Sequence, residues 1–477
     1  MYHDETDVTI RGLGIDYAFT RTYNSAPNTP DTIGRPLGFG WTHSYNMRLI
    51  ANDYGEHPNF DASEAPENAN GATSSITYVD ERGGEINYLV DDQNGIWAIT
   101  PPQGYFDTLT LDTPAAGRHT LVFGNGIRYI FDAQGADIKA PGTKARLSII
   151  RDPYGNQLDL QYDPNGNLIA IRDNAGVSGR DGLTLAYDAN GRITELGDWT
   201  GRVWTYRYDA FGNLTHMTGP DSLVSRAYTY HPDTHLLDTI AKPEIRDGKA
   251  VAMTFSYYRD NKAFDYVDAL GHAETLDYDL YRRRTRVTDP RGGVREYSYD
   301  NNGALIKLRE PDGSVLAFEN TIEGLRYGKT DGTGYTTRYS YRADRGIGEA
   351  LSDTGGRVTL ERDPLGATIE YDYGVHNQPT RIRDKNGNDR HITYYANSDD
   401  ATGALAGKRQ NIQATLDGTP VTLETWSWNA NGAPRRRIRY LDVAGIRKRF
   451  TDYTYDANDL DLPLVPKLQL GNCLPGS

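Results

Sequence analysis

Residues 206–214 read Tyr206-Arg207-Tyr208-Asp209-Ala210-Phe211-Gly212-Asn213-Leu214, and the fold is decided by how they are read. On a strand, Tyr206 and Tyr208 stand two positions apart and leave the same face. Asp209 opens a turn, because its carboxylate accepts backbone N–H groups two residues on, and Gly212 supplies the positive φ of a tight reversal. Leu214 starts the next strand. The stretch is a strand end, a turn and a strand start, with no evident chemistry.

The same arrangement recurs along the chain. It begins at Tyr162 with Gly166 in the turn, at Tyr187 with Gly191, and at Tyr299 with Gly303; looser copies begin at Tyr230, Tyr258, Tyr278, Tyr341, Tyr373, Trp428 (with Gly432) and Tyr455. Tyr187 to Tyr208 is 21 residues, as is Tyr278 to Tyr299; Asn320 falls 21 further on with Gly324 in the turn place, and Tyr341 another 21 beyond. A fixed period of this size marks a repeat architecture. Second turns such as Asp289-Pro290-Arg291-Gly292 and Glu310-Pro311-Asp312-Gly313 fall inside the units. Two turns of about four residues and two strands of about six fill the period, so each unit reads as one β-hairpin.

The strand entering each turn carries large residues two apart: Tyr228 and Tyr230, Tyr297 and Tyr299, Tyr339 and Tyr341, Tyr371 and Tyr373, Trp426 and Trp428, Tyr453 and Tyr455. Stacked hairpins would align these rings into an aromatic wall, each cross-strand pair adding about 0.2–1 kcal/mol. On this reading Tyr297, Tyr299, Tyr339 and Tyr341 are shielded from bulk water.

The repeated Tyr-Asp turns resemble the YD repeats of Rhs proteins, of the cage-forming subunits of bacterial Tc toxins and of teneurins. The resemblance spans about residues 1–459. It implies an all-β chain whose repetitive β-hairpins wind into a large hollow YD-repeat shell. A β-propeller is the alternative, since two 21-residue units make one blade of about 42. The uneven gaps between units suit a spiral better than equal blades.

Composition agrees with strands and turns. The 477 residues include 50 Gly and 34 Tyr against 4 Met. There is no long apolar run, so no membrane span is expected. A net charge of −14 argues against nucleic acid as the partner, because phosphate binding needs a basic surface. The runs Arg282-Arg283-Arg284 and Arg435-Arg436-Arg437 read as strand surface. Cys473 is the single cysteine, so no internal disulfide forms. No signal peptide follows Met1.

Three regions are expected. Residues 1–145 form an N-terminal β region, similar in its Arg21–Ser25 and Leu37–Tyr45 segments to the part that precedes the repeats in Rhs proteins, with a polar loop near 51–75. Residues 146–459 form the repeat shell. Residues 460–477 read as a non-repeat tail, either disordered or the scar of a truncation. Asn125-Gly126 reads as a type I′ hairpin turn.

No hydrolase, metalloprotease, P-loop or dinucleotide motif is present, and no cofactor or metal site is expected. His43 has no nucleophile motif beside it. His231 and His235 are spaced for zinc on a helix, but Pro232 places them in a turn. Asp163-Pro164-Asn165-Gly166-Asn167 starts like a calcium loop, with its glycine too early. The chain therefore reads as a non-enzyme. The resemblance implies a structural container for a C-terminal toxin or other cargo, in a protein that is secreted or displayed at the cell surface and engages a secretion-apparatus component. The core segment with an Asp-Pro cleavage motif and the toxin domain are not found, so the chain looks like the N-terminal part of such a protein. The competing reading is an adhesive surface protein that binds glycans through exposed aromatics.

Overall fold

The computed structural model describes residues 2–10, 12, 15–25, 36–53, 73–93, 96–102, 104–111, 117–138, 140–153, 155–174, 182–221, 225–246, 249–347, 355–374, 378–395, 408–416, 419–428, 434–440, 447–452 and 467–472. Among them there are 37 strands and no helix. The all-β expectation holds: aromatic and β-branched residues alternate along short strands, and Asp and Gly break them before any helical period can build.

The strands form two sheets. The small one runs β1 (Tyr2–Ile10), β2 (Tyr17–Asn24), β3 (Trp41–His43) in that order. The long one is antiparallel throughout and branches at the strand Lys144–Arg151. One edge of that strand holds Arg128–Asp132; the other is shared between β4 (Arg48–Asp53) and Gln157–Tyr162. From there each strand pairs with the next along the chain, and the sheet stays open rather than closing into a barrel. The boundary expected at 145/146 falls inside Lys144–Arg151, so the N-terminal region and the repeats share one sheet.

This continuity disposes of the propeller, whose blades would interrupt the ladder every four strands. The sheet also returns on itself. The Gly104 amide donates to the Glu323 carbonyl at 2.7 Å, and Phe106 lies against Gly356, so hairpins more than 200 residues apart meet. Two further expectations are corrected. Gly126 has φ +84°, but Asn125 is not left-handed; Gly126 N–H bonds to the Phe123 carbonyl, so this loop is a type I turn closed by a left-handed glycine, like those of the repeats. In the tail, Lys467–Asn472 is a strand paired with Arg447–Asp452, because alternation persists there where the turn pattern is lost. Residues 54–72 of the polar loop lie outside the described residues.

The core sits where the small sheet packs on one face of the long sheet. Tyr17, Phe19, Tyr23, Leu37 and Trp41 are buried against Leu158, Leu196, Tyr206, Leu214, Tyr228 and Phe255. Each ring removes about 150–250 Å² from water, a gross gain of about 4–6 kcal/mol. Beyond Ala263 the buried apolar residues thin, among the described residues, to Phe318, Leu360 and Ile392. Tyr297, Tyr299, Tyr339 and Tyr341, expected to be shielded, are only half-buried. The small sheet does not reach them.

Candidate functional site

The repeat unit is the recurrent feature of the chain, and its geometry explains the Tyr-Asp pair. In the unit at 208–214, the Asp209 amide donates to the Asn213 carbonyl at 3.0 Å and Gly212 N–H returns to the Asp209 carbonyl at 3.1 Å. Asp209 Oδ1 accepts the amides of Phe211 and Asn213, both at 2.9 Å, and Oδ2 accepts the Asn213 side chain at 2.8 Å. Burial alone would raise this carboxyl; the bonds from the Asn213 side chain and from the Asn213, Phe211 and Gly212 amides hold it below the usual range. Gly212 has φ +89°, which a side chain would strain. Gly166, Gly191, Gly303 and Gly324 hold the same place with φ between +73° and +89°; Gly432 lies outside the described residues.

The tyrosine answers a defect that the turn creates. Tyr208 pairs with Leu214, but Arg207 pairs with His216, so Thr215 is an extra residue. This bulge follows the turn in repeat after repeat, for example at Gln161/Tyr162, Ala186/Tyr187, Thr229/Tyr230, Ser298/Tyr299, Asp372/Tyr373 and Thr393/Tyr394. A bulge takes a carbonyl out of the ladder. The next repeat supplies the donor: Tyr187 Oη to the Leu168 carbonyl at 2.9 Å, Tyr208 Oη to Ile193 at 2.6 Å, Tyr230 Oη to Leu214 at 2.7 Å. Tyr162, Tyr341 and Tyr394 do the same to Leu147, Arg326 and Pro379, while Tyr373 bonds to the Val358 carbonyl beside a pairing that carries no bulge. Asn320, standing in for tyrosine, uses its amide on Leu305, and Trp428 its indole N–H on Arg409. The match is not one to one: Tyr299 follows the unbulged Tyr278/Thr285 hairpin and Tyr278 follows the bulged Ser256/Tyr257 one, and neither makes a hydroxyl bond among the described residues.

The first ring of each pair behaves differently. Tyr206 and Tyr228 are buried and point at a cluster that the sequence reading missed. Arg21, fully buried, donates through Nε to Asp7 at 2.6 Å, through Nη2 to Asp7 at 2.9 Å and Glu5 at 2.8 Å, and through Nη1 to the Tyr228 hydroxyl at 2.9 Å. Tyr206 donates to Asp7 at 2.7 Å, and Tyr228 to Glu5. The guanidinium also lies 5.2–5.7 Å from the rings of Trp41, Tyr206 and Tyr228. Burial would raise the Glu5 carboxyl, but His3, the Arg21 charge and the Tyr228 hydroxyl bring it down to about 2. The cluster locks the small sheet to the repeats, helped by Tyr17 Oη on the Asp173 amide and Tyr23 Oη on the Leu237 amide. A charged residue on an otherwise inward-facing strand position was the available signal.

The remaining expected residues do not converge. Tyr278 meets Tyr258 edge-on at 6.1 Å, while Tyr297, Tyr299, Tyr339 and Tyr371 line the half-open part of the wall. Tyr453 and Tyr455 lie outside the described residues. His43 is a core residue stacked on Phe19 at 4.9 Å, and burial lowers its pKa to about 3. The His235 amide donates to the His231 carbonyl at 3.0 Å, but its ring stacks on Phe39 at 4.6 Å and bonds to Asn213, while the His231 ring meets Tyr257 edge-on at 5.9 Å. From the arginine runs, Arg282, Arg284, Arg436 and Arg437 pair with Asp279, Glu296, Asp452 and Glu424.

Comparison with known proteins bears on this geometry. Residues 1–88 match the Domain of unknown function (DUF6531), and residues 162–203, 187–224 and 283–315 match the RHS Repeat. The chain is 26% identical over 221 residues to the Probable deoxyribonuclease RhsB of Dickeya dadantii, covering 42% of this chain and 15% of that protein. It is 26% identical over 308 residues to the Double-stranded DNA deaminase toxin A of Burkholderia cenocepacia, covering 56% and 20%. It is 26% identical over 266 residues to the Toxin protein Tse5 of Pseudomonas aeruginosa, covering 51% and 18%. The chain thus matches a fifth or less of each relative's length. The Tc holotoxin pore of Photorhabdus luminescens superposes with a TM-score of 0.40 at 11% identity, over 92% of this chain and 28% of that one. The repeat matches coincide with the bulged hairpins, so residues 162–224 and 283–315 of this chain carry Rhs-type YD repeats.

Proposed function

We propose that this chain is part of a non-catalytic shell that encloses a polypeptide cargo, with the cargo a toxin domain carried by the full-length protein. The observation that carries the reading is the asymmetry of the aromatic wall. One face of the long sheet bears it; the small sheet covers its first part, through Tyr206 and Tyr228, and leaves the rest half-open. An aromatic surface that continues past its own plug suits a lumen. The relatives named as toxins agree with such a cargo, and delivery outside the cell follows from it. His43, locked in the core by Phe19, supports a structural role for the N-terminal region.

Small-angle X-ray scattering tests the shell. A solid 477-residue domain has a radius of gyration of about 23 Å. A curved, hollow sheet gives a clearly larger value and a scattering curve with the minimum of a shell. A value at ~23 Å defeats the reading.

A further inference from the structure

A cleft of about 480 Å³ opens beside the Arg21 cluster, and all of residues 3–7 line it. Successive strand residues point to opposite faces, so five in a row line one cleft only if it opens on the strand's edge. Among the described residues, β1 is an edge strand paired with β2 alone. The Asn24 amide goes to the Gly40 carbonyl, and the Thr20 carbonyl receives the Ser44 amide, both on the β3 side. Alternation therefore turns the backbones of Arg21 and Tyr23 toward β1, onto Glu5 and His3. The backbones of Asp4 and Thr6 are left on the free edge, with no backbone partner among the described residues. Facing that edge is a floor of Trp204, Met217, Ile240 and Met253, with Arg226 and Lys242 beside them, drawn from five strands of the long sheet.

We propose that this cleft binds an extended polypeptide segment by strand addition to β1. The unpaired amides and carbonyls of Asp4 and Thr6 hold its backbone, and alternate side chains rest on the Trp204–Met253 floor. The occupant is the polypeptide enclosed by the shell. The cleft lies on the wall-bearing face of the sheet, which the function proposed above places inside. The matched relatives carry most of their length outside the region matched here. The choice of occupant rests on that function; the strand addition rests on the geometry alone.

The probe is the labelled synthetic peptide Lys-Thr-Val-Thr-Val-Thr-Val-Lys, titrated against the purified chain by fluorescence anisotropy. Two comparison peptides carry N-methyl groups on either the valines or the inner threonines, so that one of them removes the donors facing β1. Saturable binding is expected, weakened at least tenfold by one of the two methylation patterns. It is also expected to weaken at least tenfold in Thr6→Pro, which deletes an edge amide and leaves the His3 and Glu5 ladder bonds. Hydrogen exchange in the unaltered chain keeps the test independent of folding in the variant: the peptide should slow exchange at Asp4 and Thr6. Absence of saturable binding, equal binding of all three peptides, or unchanged exchange at both amides overturns strand addition. Peptide binding by a particle whose scattering is that of a solid domain overturns the choice of occupant, and a hollow particle that binds no peptide overturns the cleft while sparing the shell.

Discussion

Arg21 donates to the Tyr228 hydroxyl at 2.9 Å across 207 residues of chain, and this contact fixes the N-terminal sheet onto the repeats. The same guanidinium is bidentate to Asp7 and bonded to Glu5. Arg21→Ala removes the cation from the Asp7 carboxylate, which is 1% exposed, and leaves Glu5 to the more distant Arg226 at 3.5 Å and His3 at 3.6 Å, a loss of about 3–5 kcal/mol. Arg21→Lys keeps the charge but cannot reproduce the planar fork, so its stability should lie between. Urea unfolding followed by Trp41 fluorescence checks this, because Trp41 meets Tyr228 edge-on at 5.2 Å. Equal midpoints for Arg21→Ala and the parent chain would show that the cluster holds nothing.

The repeat was legible in the sequence and the lock was not, for a physical reason. Tyr208, Asp209 and Gly212 act on neighbours a few residues away or one repeat back, so a fixed spacing records their roles. Arg21 acts across about 200 residues, and no local pattern links it to Tyr206 or Tyr228. The extra residue after each turn, such as Thr215, was also invisible, because its sequence cost is a single position within a variable strand. The cover of the small sheet over the first part of the wall was illegible for the same reason as Arg21: similar Tyr-x-Tyr strings are buried at Tyr206 and half-open at Tyr297.

The carbonyl caps predict a selective effect of deleting one oxygen. Tyr208→Phe leaves the Ile193 carbonyl without its donor and should cost about 1–2 kcal/mol. Tyr299→Phe follows an unbulged hairpin and should change stability by less than about 0.5 kcal/mol. Chemical denaturation of the two variants side by side checks the pair. Similar losses in both would mean that the hydroxyls act by general packing.

Gly303 isolates the turn's backbone requirement. Its φ is +83° and a Cβ there would meet no atom within 4 Å, so only conformational strain opposes a side chain. Gly303→Ala should cost about 1–2 kcal/mol. At Gly182, also left-handed at φ +83°, a Cβ would strike the Ile171 backbone carbonyl, which cannot swing aside, so Gly182→Ala should cost more. Thermal melts of both variants give the order; the reverse order would refute this account of the turn.

Acid should release the N-terminal sheet. The Glu5 carboxyl titrates at about 2 in the folded chain against 4.5 ordinarily. A depressed folded value contributes stability that is fully present above the unfolded pKa and is lost as pH falls toward the folded one. The loss from this group therefore falls between about pH 4.5 and 2. Glu5→Gln should flatten the stability profile across that window while leaving the profile above pH 5 parallel to the parent's. A variant whose acid limb is unchanged would assign the acid sensitivity to other carboxylates.

The aromatic wall should be graded along the chain, and truncation of single rings measures the gradient. Tyr206 is 3% exposed, bonded to Asp7 and overlaid by Arg21. Tyr206→Ala creates a cavity and strands part of the cluster, so a loss of about 3–5 kcal/mol is expected. Tyr339 occupies the same place in a later strand, but no small sheet covers it and its ring is half-buried. Tyr339→Ala loses only the area shared with neighbouring hairpins, about 1–2 kcal/mol. A repeat array transmits such damage to its nearest neighbours. Hydrogen exchange should therefore show faster opening confined to the hairpins around 326–341 in Tyr339→Ala, and opening of both β1 and the 203–230 strands in Tyr206→Ala. Equal losses in the two variants would place a second cover over the later wall, and the surface read here as facing a lumen would instead be an occupied interface.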